Sequence, residues 1–121
     1  MNIDWKALKK SKEQELPEAE RKRKEYIEYL VKLYEKRLYI ACKSQEAGTE
    51  EYYDPRYLSD HEDSLLSTLK NTFELMFCVD IIVPLELHQK VMRIVRDNLV
   101  QQGINCRFLD TREDYLLIKL P

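Results

Sequence analysis

The chain has 121 residues, 44% of them apolar and 35% charged, with a net charge of −2. That is the size of one domain and the make-up of a charge-coated globular protein, which argues against a disordered tail or a general polyanion binder. The longest apolar runs, LMFCV and IIVPL, fall far short of the ~20 residues that span a bilayer, and no membrane association is expected.

The opening MNIDWKALKK lacks an unbroken apolar core and a small-residue cleavage site, so no secretory leader is expected. Ile3, Trp5 and Leu8 form the apolar edge of a short helix over 2–12, within an N-terminal arm of residues 1–16. Pro17 suits the first turn of a new helix. From Glu18 to about Gln45, Ile27, Val31, Tyr34, Leu38 and Ala41 make one stripe, and Tyr26, Leu30, Leu33 and Ile40 make another beside it. The combined face is wider than a coiled-coil seam, as a core-facing helix requires. Gly48 should close it.

The next segment, EEYYDPRYLSDHED from Glu50 to Asp63, is crowded with acids and tyrosines. Ser59 followed by Glu62 matches a capping box, and Asp60, Glu62 and Asp63 suit the positive end of a helix dipole. Leu65, Leu66, Leu69, Phe73 and Met76 continue at helical spacing to about Phe77. Consecutive helical residues diverge and no second His or Cys stands at ligand spacing, so His61 is read as part of a cap, with no metal.

The run CVDIIVP predicts a buried strand over 79–83, ended by Pro84. Pro84 opens a helix over 85–102, with Leu85, His88, Met92, Val95 and Leu99 on one face and Gly103 as its stop. Ile104, Cys106 and Phe108, then Leu116, Ile118 and Leu120, alternate about the polar stretch Asp110 to Asp114, which predicts a hairpin. A strand, a long helix and another strand permit a right-handed crossover. The expected fold is α+β in a single domain, 1–121: a helical hairpin over 17–78, packed with a strand-helix-hairpin unit over 79–121. Its small three-stranded sheet is mixed, its crossover helix is 85–102, and the order is helix-helix-strand-helix-strand-strand.

Cys42, Cys78 and Cys106 are scattered in apolar contexts without a Cys-x-x-Cys pair, as expected of reduced core thiols in a cytoplasmic protein. The chain has no glycine-rich phosphate loop, nucleophile elbow or His-x-x-x-His. His88, on an apolar helix face, reads as a satisfied core residue. No catalytic residue, cofactor or metal is expected.

Charge is uneven along the chain. Residues 1–43 hold twelve basic and eight acidic side chains (+4), residues 44–88 two and ten (−8), and residues 89–121 six and four (+2). The acidic middle suggests a docking surface of Tyr52, Tyr53 and Tyr57 with Glu50, Glu51 and Asp54, because tyrosine buries much area with few torsions and carboxylates steer a basic partner. The leading expectation is therefore a non-enzymatic regulatory, inhibitory or assembly protein that binds another protein, a class that includes small phage and mobile-element proteins; a homo-oligomer is compatible with it. The alternative is nucleic-acid binding by the 85–102 helix and the hairpin, through Arg93, Arg96, Arg107, Arg112 and Lys119. Against it stand Asp97, Asp110, Glu113 and Asp114 among those cations.

Overall fold

A computed structural model describes residues 3–59, 83–109 and 111–121. Its elements are α1 (Trp5–Lys43), β1 (Glu50–Tyr53), a 3₁₀ turn (Pro55–Tyr57), α2 (Leu85–Gln101), β2 (Asn105–Leu109) and β3 (Arg112–Lys119). Among the described residues, two helices and a three-stranded antiparallel sheet make the fold α+β.

One helix, α1, runs through both the short helix over 2–12 and the longer helix from Glu18 that the sequence suggests. Asp4 caps it, its Oδ1 accepting from the Ala7 amide at 3.0 Å. Pro17 lies inside it. Proline there removes one amide donor, but the site is exposed, so water can satisfy the freed carbonyl of Glu13, and the flanking Ala, Leu, Glu, Gln and Lys residues are strong helix formers. At 39 residues the helix is ~58 Å long. Residues 3–26 are exposed except for Ala19, which is half-buried. From Ile27 onward the helix packs on the body, burying Leu30, Val31, Tyr34 and Leu38.

Gly48, at φ +80°, turns the chain out of α1, a backbone shape that glycine adopts without Cβ strain. Its amide donates to the Pro121 carbonyl at 3.0 Å and so starts β1 beside β3. Glu50, Glu51, Tyr52 and Tyr53 then stand opposite Lys119, Ile118, Leu117 and Leu116. On the far side of β3, Asn105, Cys106, Arg107 and Phe108 face the same four residues, with an irregularity at Phe108/Leu109. The order is β1-β3-β2.

The sheet differs from the mixed one expected, because every described pairing is antiparallel and the third strand is β1. The EEYY segment has no alternation to announce a strand; the ladder offered by β3 makes it one. The expected 79–83 strand, the 59–77 helix with its capping box, and hence the second half of the helical hairpin lie outside the described residues apart from Ser59 and Val83, which are both buried. The hairpin is tighter than expected: residues 112–114 belong to β3 instead of an acidic loop. The core joins Leu30, Val31, Tyr34 and Leu38 of α1 to Val91, Met92 and Val95 of α2 and to Cys106, Leu116 and Ile118 of the sheet.

Candidate functional site

A buried polar cluster lies where α1, the β1–3₁₀ junction, α2 and β3 meet. Tyr34 and His88 are fully buried, and Arg37 and Asp54 nearly so. His88 Nε2 is 3.0 Å from the Asp114 carbonyl. A carbonyl only accepts, so Nε2 carries the proton and Nδ1 accepts from the Tyr34 hydroxyl at 2.8 Å. The Tyr34 ring meets the imidazole edge-on, at 5.5 Å between centroids.

Asp54 Oδ1 lies 3.5 Å from His88 Nε2. The same carboxylate is gripped by Arg56, with Nε to Oδ1 at 3.0 Å, Nη2 to Oδ2 at 2.6 Å and the Arg56 amide to Oδ1 at 3.0 Å. Arg37 Nη1 donates to the Pro55 carbonyl at 2.9 Å. Burial lowers the His88 pKa, outweighing the hydrogen bond that Nε2 donates to the Asp114 carbonyl and the Asp54 charge, so the ring is held neutral. Burial also raises the Tyr34 pKa, with the Asp54 charge adding to it. Tyrosine, histidine and aspartate in line have the composition of a proton relay. With His88 and Tyr34 both sealed from solvent, what the arrangement does is fasten four elements to one another.

The clamp divides the tyrosine-rich set. Glu50 and Glu51 are exposed, and Tyr52 and Tyr57 keep 52% and 38% of their surface. Arg56 lies over the Tyr57 ring at 5.3 Å. Tyr53 instead packs on the core and donates to Gln45 Oε1 at 2.7 Å, and burial pushes its pKa up to about 12. Asp54 is the counter-ion of Arg56 and the neighbour of His88, so it is no surface carboxylate.

The basic set is divided too. Arg93 is paired with Glu113 on the sheet, and that hydrogen bond lowers the Glu113 pKa. Arg96 is paired with Asp97 and lies 4.8 Å over the Phe108 ring. Arg112 is paired with Asp114 at 3.2 Å and lies over Tyr115. Arg107 and Lys119 remain exposed. Side chains alternate along a strand, so both share the sheet face turned away from the helices with Glu50 and Tyr52. The register sets Glu50 across from Lys119, and Leu117 between Tyr52 and Arg107. Glu50 and Tyr52 of one set and Arg107 and Lys119 of the other thus share one face, around a Leu117 that is itself buried.

The thiols of Cys42 and Cys106 are free, and burial raises both pKa values, away from the reactive thiolate. Cys78 lies outside the described residues. Among the described residues, no three His, Cys, Asp or Glu side chains converge as a metal site, and no helix is long and apolar enough to cross a membrane. The clamp escaped sequence reasoning because its partners are distant along the chain. The available signal was a histidine and a tyrosine each placed on an apolar helical stripe. No protein-family model, curated protein or solved structure matches the chain.

Proposed function

We propose that the chain acts without catalysis, as a regulatory or assembly protein that docks on another protein through Glu50, Glu51, Tyr52 and Tyr57. The observation that carries this reading is the hydrogen-bonded anchoring of the backbone that presents them. β1 is laddered to β3, and the 3₁₀ turn is fixed from within by the Asp54–Arg56 and Arg37–Pro55 contacts. A surface already fixed loses little entropy on binding, so exposed tyrosines there convert buried area into affinity efficiently. The exposed carboxylates favour a partner with a basic patch. Affinity capture from the native host, repeated after nuclease digestion, tests the proposal. Partners should survive digestion and be lost with Tyr52→Ala or Tyr57→Ala, and capture that depends wholly on nucleic acid would refute it.

Nucleic-acid binding retains one supporting observation, the exposed Arg107 and Lys119 on the same sheet face as Tyr52. Phosphate contacts with a stacking ring are the usual elements of single-strand binding. Measurable binding to DNA or RNA at low salt, weakened by Arg107→Ala, would favour this second reading.

A further inference from the structure

The exposed part of α1 is an arm with nothing on it among the described residues. Trp5 is 71% exposed, Leu8 45% and Leu16 46%. At about 100° per residue, Trp5, Leu8, Leu16 and the half-buried Ala19 lie in the same sector of the helix as Ile27, Leu30 and Tyr34, which enter the core. The stripe therefore runs straight out of the body along one side of the arm. Where the two meet, a groove of about 450 Å³ opens between α1 and α2, lined by Glu20, Arg23, Lys24, Ile27, Lys90 and Ile94.

The charges on the arm come in blocks. Residues 6–12 hold Lys6, Lys9, Lys10 and Lys12 and no acid, while residues 13–20 hold Glu13, Glu15, Glu18 and Glu20 and no base. A block of Arg21, Lys22, Arg23 and Lys24 follows. The intrahelical pairs Lys9–Glu13, Lys12–Glu15 and Arg21–Glu18 lie at the block boundaries, and exposed pairs of that kind contribute little. Laid antiparallel on a second copy about a point near residue 12 or 13, each lysine block meets a glutamate block. Laid parallel in register, like meets like. The same antiparallel overlap brings Trp5 opposite Glu20, the first residue lining the groove.

We propose that two copies of this chain pair through their arms, antiparallel, residues 6–12 of each against residues 13–20 of the other, with each Trp5 entering the partner's groove beside Ile27 and Ile94. The contact is isologous, the closed geometry usual for homodimers. It also covers the apolar side of a helical segment that is only marginally stable alone in water. It uses a surface separate from the Tyr52 and Tyr57 docking face.

Trp5 is the single tryptophan of the chain, so its emission reports directly on the contact. Sedimentation of the full chain over a wide concentration range should show the mass rising from one chain toward two. Trp5 emission should shift to the blue along the same isotherm, and added salt should displace both to higher concentration. Leu8→Glu with Leu16→Glu should abolish the mass change and leave the melting of the body intact, since both side chains are exposed. Two further variants test the blocks. One carries Lys6→Glu, Lys9→Glu, Lys10→Glu and Lys12→Glu; the other carries Glu13→Lys, Glu15→Lys, Glu18→Lys and Glu20→Lys. Each alone should stay monomeric, and their mixture should pair. A mass fixed at one chain, a dimer with unshifted Trp5 emission, or a dimer indifferent to Leu8→Glu with Leu16→Glu would each overturn the proposal.

Discussion

Replacing His88 with leucine is the most direct probe of the buried clamp. Leucine fills a similar volume but neither accepts from the Tyr34 hydroxyl nor donates to the Asp114 carbonyl, bonds of 2.8 and 3.0 Å in the native chain. Two buried polar groups lose a partner, each costing ~1–3 kcal/mol, so His88→Leu should cost about 2–6 kcal/mol. Tyr34→Phe removes one hydroxyl and strands only Nδ1, at ~1–3 kcal/mol. The double variant should cost less than the sum of the two, because one stranded pair disappears altogether. Urea unfolding measures all three.

A pH series adds an independent check. His88 is held neutral in the fold, whereas in the unfolded chain it protonates below about pH 6.5. Below that point the unfolded state binds more protons, so stability falls as pH falls, by at most ~1.4 kcal/mol per pH unit, until the folded pKa is reached. The groups facing the ring are Tyr34, Asp54, Arg56 and the Asp114 backbone and carboxylate. Asp114, whose own pKa is lowered against the effect of burial by its bonds to Arg112 and to backbone, adds its loss only at lower pH. His88→Leu should remove the slope that sets in below about pH 6.5. A variant that keeps the native slope, or single substitutions whose costs simply add, would refute the clamp.

Tyr53→Ala should lower the melting temperature because it takes away packing and the Gln45 bond, while Tyr52→Ala should barely move it and act on partner affinity instead; calorimetry beside a binding assay separates the two. Gly103→Ala should cost about 1–2 kcal/mol in urea unfolding, since φ is +83° there while the space around its Cβ position is open. Pro17→Ala restores an amide donor to the exposed part of α1, so far-UV helicity should rise with little change in the melting of the body.

The sequence was most informative where one face of one element decides the structure. Ile27 to Ala41 announce a helix through their period, and their burial follows from it. Pro84 and Gly103 bracket α2 almost to the residue, and the alternation of Cys106, Phe108, Leu116 and Ile118 identifies the hairpin and its inner face. It misled where a local signal competed with a distant partner. Pro17 reads as a helix start, yet exposure lets the helix run through it. Glu50 to Tyr53 shows no strand alternation, yet β3 supplies the ladder that makes it a strand. Asp54 reads as a surface acid, although Arg56 and His88, the latter 34 positions further along, draw it inward. The basic residues Arg93, Arg96 and Arg112 look available in sequence and are paired in space.

The pairing of β1 with β3 also sets a folding order. Residues 85–119 contain α2, β2 and β3, whose mutual contacts are close along the chain and can form early. Tyr52 must instead find Leu117, 65 positions away, and closing a loop of that size costs ~4 kcal/mol of chain entropy beyond a constant term. That cost is best met once the hairpin already offers its free edge. Substitutions in β1 should then leave the refolding rate nearly unchanged and accelerate unfolding, whereas substitutions at Val91, Val95 or Leu116 should slow refolding. The strand that carries Glu50, Glu51 and Tyr52 would be the last to arrive and the first to leave.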